Sequence, residues 1–448
     1  MPLSRSLAFS TIAFIGAACS GGGGGGSTPS QPAPALATTV AQNVSPSGAP
    51  ASSAPTNPPP GIPAPSQVPQ PPPANSAVVA PAGFDVRVVA NVGGAREVAA
   101  LPNGDLIVGT GGNAVALVPN ADGPGVAGAA HTFASFNDAP AQGVAYGNGS
   151  IYVATQHGLW RVPYQTGAQT GSPRQIAPLR QGSVAPNSDG DVHLSSSVTV
   201  TSSAVFVGVG SSCNACVETD PTRATVQTAH LDGTGLTTYA TRFRNALALA
   251  VNPATGTVWA GGAGQDALPT GHPYEFVDAL TSHAPVADYG WPACEENQHA
   301  YTAGADCSHT VTPRIELPAY STIIAAAFYP TAATGTYAFP AAYRGGMFVT
   351  AHGSWHTPNG HHVPPHVVFV AMNGDTPASP VNWNDPTGQW RDFLSGFQND
   401  ANNDARIGRP TGIAVGPQGS LFVADDQSGN IYRIRLTAAG ASATLRRP

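Results

Sequence analysis

Not one lysine occurs among the 448 residues of this chain, so its 18 basic side chains are all arginine. Charged residues make up only 10% of the sequence, and the formal net charge is −7. With no basic stripe, nucleic acid is not an expected partner. A dinucleotide grip is missing as well, because no βαβ pattern surrounds Gly109-Thr110-Gly111-Gly112. The chain has no Gly-x-Ser-x-Gly elbow of the hydrolase kind. Its N-terminal apolar stretch, Leu7 to Ala18, is too short for a stable membrane span. Helical periodicity is absent between the apolar runs that follow.

What the chain does have is a repeated hairpin. Six times a short apolar run, a Pro/Asn/Gly-type turn and a second apolar run recur in that order. The clearest copies run from Arg96 to Val108, turning at Pro102-Asn103-Gly104, and from Thr411 to Val423, turning at Pro417-Gln418-Gly419. Others are Gly143 to Val153, Val198 to Val207, Ala248 to Trp259, and Ala325 to Val349, the last interrupted by an insertion. Asn-Gly and Pro-x-Gly supply the backbone angles that a tight hairpin needs. One hairpin cannot bury its own apolar face, so repetition implies stacking of neighbours. The spacing predicts an all-β fold, a β-propeller of about six blades. Chemistry is then expected where the loops converge on one mouth of the central channel.

The ends read differently. Arg5 ahead of the Leu7–Ala18 stretch suits a signal peptide over residues 1–19. Gly16-Ala17-Ala18-Cys19-Ser20 is similar to a bacterial lipobox, with Gly16 where Leu is usual, so Cys19 is the expected acylation point. An ordinary secretory cleavage near Ala18 is the alternative. Residues 20–82 are dominated by Gly, Pro, Ser, Ala and Gln, with too little apolar bulk to offset ordering entropy; they are expected to be a disordered linker. The propeller is expected over residues 83–437 and a flexible tail over 438–448. The protein should therefore be exported to the periplasm or cell surface, touching the membrane only through its lipid. Beyond Cys19 the cysteines are Cys213, Cys216, Cys294 and Cys307. An even number in an exported chain favours disulfides, with local pairing, Cys213 to Cys216 and Cys294 to Cys307, expected among three connectivities. A zinc site built from the four thiolates is the alternative.

Several segments, taken in order, resemble a known family. They are Gly208-Val209-Gly210-Ser211-Ser212-Cys213-Asn214-Ala215-Cys216, Asp220-Pro221-Thr222-Arg223-Ala224 and Ala240-Thr241-Arg242-Phe243-Arg244-Asn245. Further along come Ala287-Asp288-Tyr289-Gly290-Trp291-Pro292, His352-Gly353-Ser354-Trp355 and Arg409-Pro410-Thr411-Gly412. The chain resembles the sorbosone dehydrogenase and soluble glucose (pyranose) dehydrogenase family, six-bladed propellers that use pyrroloquinoline quinone (PQQ) and calcium. The resemblance implies oxidation of a sugar or aldose by hydride transfer to the quinone, with electrons passed to an external acceptor. By position in the family order, His193 would be the base and Arg244 would act beside Asn245 on the quinone carbonyls. Tyr289, Trp291, Trp355 and Arg409 would border the cofactor. Calcium would be held by the backbone carbonyls of Gly264 and Gln265, with Asp266 as a charged oxygen donor.

The chain departs from the family pattern in three places. Gly261-Gly262-Ala263-Gly264-Gln265-Asp266 stands where the family usually has Glu-Asn-Gly-Arg-Asp, there is no lysine for the quinone's carboxylates, and His356-Thr357 replaces Asn-Arg. A cofactor-free propeller that binds a glycan or a protein is therefore the alternative, with a calcium-dependent lactonase a further one for which the carboxylates are too few. His352, His356, His361, His362 and His366 crowd one loop, either solvated or as metal ligands.

Overall fold

The computed structural model describes residues 77–180, 182–185, 190–268, 271–354, 362–398 and 406–437. The signal peptide, Cys19, most of the linker, the tail, Trp355, His356 and His361 lie outside the described residues. Every expected hairpin is the inner pair of a blade of four antiparallel strands, and six blades make the propeller, the blade 3 sheet gaining a fifth strand at its edge. The inner pairs begin at Ala95, Gly143, Ser196, Ala246, Ile323 and Pro410 in blades 1 to 6. No α-helix occurs among the described residues.

Burial explains why the second strand of each blade is apolar on both faces. In Leu106–Thr110, Ile107 packs with blade 2 while Leu106 and Val108 pack with blade 6. In Ser150–Ala154, Ile151 and Val153 face blade 1, and Tyr152 and Ala154 face blade 3. Alternate side chains of one strand thus feed two different cores, so the strand has no polar face to show. A hydrophobic cluster fills each blade-to-blade interface.

The ring closes by strand exchange between the chain's two ends. Phe84–Asn91 is the outer strand of blade 6, paired antiparallel with Asn430–Leu436 from Phe84 opposite Leu436 to Asn91 opposite Asn430. Across that closure the inner strands approach tightly: a Cβ on Gly412 would sit 2.3 Å from the Arg96 carbonyl oxygen. Blade 4 departs most from the regular pattern. Between its third strand, Glu275–Asp278, and its fourth, Ile315–Leu317, the chain leaves to add Ala287–Asp288 in parallel to the edge of blade 3. Two disulfides form among the described residues, Cys213 with Cys216 and Cys294 with Cys307, as local pairing predicts.

Candidate functional site

Inner strands start at the channel mouth, so the residue just ahead of each one can face the axis. Ser195, Asn245 and Thr322 occupy such places, and with Arg96, the second residue of its strand, they line one cavity of about 230 Å³. The connections after the second strands of blades 4 and 5 add Ala263, Asp266 and His352, and the third strand of blade 4 adds Glu275. His193 joins them from the segment ahead of blade 3.

That segment is clamped. The Arg223 guanidinium grips both Asp191 carboxylate oxygens and donates from Nε to the Gly210 carbonyl at 2.7 Å. His193 Nδ1 lies 3.0 Å from the Ser211 carbonyl oxygen and 2.9 Å from Ser211 Oγ. A carbonyl can only accept, so Nδ1 carries the proton and Nε2 is left bare. Burial first, and then the Arg244 charge, push the His193 pKa well below its ordinary 6.5. The imidazole is therefore neutral at neutral pH. Gly210 makes the arrangement possible, since a Cβ there would lie 2.5 Å from Asn245 Oδ1 and 2.6 Å from His193 Cβ.

Arg244 is oriented by the loop that the Cys213–Cys216 disulfide closes. Its Nε donates to the Asn214 carbonyl at 3.0 Å, and its Nη2 donates to Asn214 Oδ1 at 2.9 Å and to Asp266 Oδ2 at 3.0 Å. Asn214 Oδ1 also accepts from the Asp266 backbone N–H at 2.7 Å, tying arginine and aspartate to one amide. On the opposite wall Arg96 Nη1 donates to Asp426 Oδ2 at 2.7 Å, and His352 Nε2 donates to Asp426 Oδ1 at 2.9 Å. Burial lowers His352 from 6.5 to about 4. Against burial's upward push, His352 and Arg96 hold Asp426 at about 2. Glu275 accepts from the Ile323 N–H at 2.9 Å, yet burial raises it to about 8.

The structure thus brings together His193, Arg244, Asn245 and Asp266. It places Arg409, Trp291 and Tyr289 one layer out, and Trp355 lies outside the described residues. Arg409 donates from Nε and Nη2 to the carbonyls of His352 and Gly353, at 3.0 and 2.7 Å, and so supports His352 from behind. Trp291 Nε1 donates to the Asn214 carbonyl at 3.1 Å, backing the loop that orients Arg244. Tyr289 is core: its ring stacks on Phe276 at 5.5 Å and its hydroxyl donates to buried Asp278 at 2.8 Å. The Gln265 side chain turns away from the cavity to Glu295 Oε1 at 2.7 Å and the Pro292 carbonyl at 3.2 Å. Gly264 packs on that outer side, its missing Cβ falling 2.6 Å from Pro273 and 3.2 Å from Glu295 Oε2.

Sequence reasoning missed Arg96, Glu275 and the facing of His352 into the cavity. Arg96 was within reach, since it is the first residue of the first hairpin copy, close to the start of an inner strand. Glu275 lies on a third strand, outside the repeated motif, and carries no such signal.

The donor set suits the implied cofactor. Asn245 Oδ1 is buried without a hydrogen-bond partner, and two guanidiniums face one cavity, a match for a planar polycarboxylate. Asp266, Glu275 and the Ala263 carbonyl are hard oxygen donors on the same wall, suited to calcium.

A family model described as TrAA12-like matches residues 283–437, from the blade 4 excursion to the end of blade 6. No curated protein matches the chain. Among solved structures, the calcium structure of a Trichoderma reesei carbohydrate-active enzyme of family AA12 aligns with a TM-score of 0.66 at 18% identity, covering 81% of this chain and 97% of that one. The holo form of the pyranose dehydrogenase PQQ domain from Coprinopsis cinerea gives 0.64 at 17% identity, over 82% and 98%. The apo form of the soluble aldose sugar dehydrogenase from Escherichia coli gives 0.52 at 14%, over 79% and 100%. At these identities the likeness is one of fold. The resemblance carried by the sequence motifs falls on the same group of proteins.

Proposed function

We propose that the protein is an exported PQQ- and calcium-dependent dehydrogenase that oxidises a sugar or aldose and passes electrons to an external acceptor. One observation carries this reading: an imidazole with a bare nitrogen, two arginines and two carboxylates converge on a single cavity at the propeller mouth. When bound, PQQ with its calcium supplies the hydride acceptor and a Lewis acid at its carbonyl. His193 Nε2 accepts the proton of the substrate hydroxyl, while Ser211 holds the ring in the tautomer that leaves Nε2 free. Arg244, kept in place by Asn214 and Asp266, presents positive charge where negative charge develops, and Asn245 orients beside it. Asp266 and Glu275 would hold the cation, with Arg96 and His352 closing the opposite wall.

The test is titration of apo-protein with PQQ with and without Ca²⁺, followed by aldoses and an artificial electron acceptor. Calcium-dependent PQQ binding and aldose oxidation are expected. Absence of PQQ binding at high micromolar concentration with calcium present overturns the reading and leaves a cofactor-free binding propeller. That alternative draws on the Arg244–Asp266 and Arg96–Asp426 pairs, which already balance the cavity's charge.

Arg5, the Leu7–Ala18 stretch and Cys19 support export with a lipid anchor. Cys19→Ala should then move the protein from the membrane to the soluble fraction of exporting cells, and an unchanged membrane fraction would sink the anchor.

A further inference from the structure

Ala263, Asp266 and Glu275 line the mouth, while Leu268, Gly271, His272 and Tyr274, close to them in sequence, line another feature. Two cavities, of about 540 and 460 Å³, flank Gly271–Tyr274 outside the site described above. The first is lined by His272, Glu296, Tyr301, Trp383 and Asn384 among others. Tyr274, His366, Pro386 and Trp390 contribute to the second. Both reach the same loop at Trp383–Pro386, so they read as one cleft crossed by Gly271–Tyr274.

The cleft is built rather than incidental. Glu296 is buried, accepts from the Tyr274 N–H at 2.8 Å, and meets the Tyr301 hydroxyl and His272 Nδ1. The His272 ring stacks on Tyr274 at 4.4 Å. The disulfide-closed loop from Cys294 to Cys307 carries both Glu296 and Tyr301, and Gln265 pins that loop to the mouth through Glu295. Trp390 Nε1 donates to the Pro386 carbonyl at 2.7 Å, fixing the far wall.

Two independent observations point to a ligand. His366 is 5% exposed, bonds Asp392 through Nδ1 at 2.7 Å, and keeps a buried Nε2 with no hydrogen-bond partner at the cleft wall. A buried imidazole nitrogen left unpaired is costly unless something arrives to meet it. The second observation is composition: two tryptophans and two tyrosines alternate with carboxylate and amide groups, and no arginine lines either cavity among the described residues. Aromatic faces suit the C–H faces of sugar rings, and the polar groups between them suit hydroxyls. No guanidinium is there to grip an anion, and the two carboxylates, Glu296 and Asp392, are each met by an imidazole, His272 and His366.

We propose that this cleft binds a neutral oligosaccharide, holding the sugar units that follow the one presented at the mouth. The proposal rests on the reading of the mouth as a sugar-oxidising site, and it makes the substrate class an oligosaccharide or chain end rather than a free monosaccharide. Nearness in the chain supports it: Asp266 lines the mouth two residues from Leu268 in the cleft, and Glu275 lines the mouth next to Tyr274 in the cleft.

The experiment uses the full chain without PQQ, titrated with cellotetraose, maltotetraose, xylotetraose and glucose by calorimetry and tryptophan fluorescence. At least one tetrasaccharide should bind tighter than glucose. Trp383→Ala should weaken that binding about tenfold, the scale of one aromatic contact, and the exposed-site variant Asn297→Ala should weaken it less. In PQQ-loaded protein, Trp383→Ala should raise KM for the tetrasaccharide while leaving glucose oxidation unchanged. Tetrasaccharides that bind no better than glucose, or binding indifferent to Trp383→Ala, overturn the cleft even where glucose is oxidised. Saturable Cu²⁺ or Zn²⁺ binding abolished by His366→Ala, without saccharide binding, also overturns it. Tetrasaccharide binding lost in Trp383→Ala, in protein that takes up no PQQ, upholds the cleft and ends the dehydrogenase reading.

Discussion

His193 and His352 are the two imidazoles of the mouth, and each is committed by one nitrogen to a fixed acceptor. His193→Ala should leave PQQ binding nearly intact and lower turnover by roughly 10²–10⁴-fold, the contribution of a positioned base. Because burial and Arg244 depress its pKa, wild-type activity should fall on the acid side only well below pH 6.5. A pH–rate profile with its acid limb at or above 6.5 would contradict the assignment. His352 bears on stability instead. Its folded pKa is about 4 against an ordinary 6.5, so between those values the unfolded chain binds a proton that the folded chain does not. The His352 contribution to stability should therefore be lost as pH falls from 6.5 to 4. His352→Gln should shift the pH dependence of the melting temperature across that window towards greater acid tolerance, and a slope equal to that of the wild type would argue otherwise. These residues were legible to different degrees for a physical reason. His193, Arg244 and Asn245 lie beside the starts of inner strands, where a repeat aims successive copies at the axis. Glu275 reaches the same cavity from a third strand, where periodicity says nothing about facing.

The excursion out of blade 4 shows how a single element misleads a linear reading. Tyr289 and Trp291 sit two residues apart in a motif associated with the cofactor, yet the added strand Ala287–Asp288 sends one ring into the core between blades 3 and 4 and sets the other behind Asn214. Arg242 holds that strand in place by pairing with Asp288. Tyr289 shares Asp278 Oδ2 with His283 Nε2, both at 2.8 Å, and Asp278 is fully buried. Tyr289→Phe should thus cost about 1–3 kcal/mol of stability, the penalty for leaving a buried carboxylate short of a donor. PQQ affinity should stay unchanged. A loss of affinity at constant melting temperature would return Tyr289 to the cofactor. The disulfide pairing, by contrast, was legible, because each cysteine's partner lies within one local loop.

At the scale of the whole molecule, propeller architecture was legible because paired apolar runs recur, and in blades 1, 2 and 6 the turn between them carries its own chemistry, Asn-Gly or Pro-x-Gly. The source of the last outer strand was not, since Phe84–Asn91 finds its partner at the opposite end of the chain. Nothing local announces such a pairing. Closure leaves the ends so near that the Thr437 N–H donates to the Gly83 carbonyl at 2.8 Å. A short linker joining residues 437 and 83, with new ends cut at the exposed Asn148-Gly149 turn of blade 2, should give a protein with native circular dichroism and unchanged PQQ affinity. Failure of such a permutant to fold would mean that the order of synthesis, and not the contacts alone, selects the structure. Success would mean that the propeller has no intrinsic beginning. Any exposed turn would then be an equally valid doorway at which a tether could join the propeller.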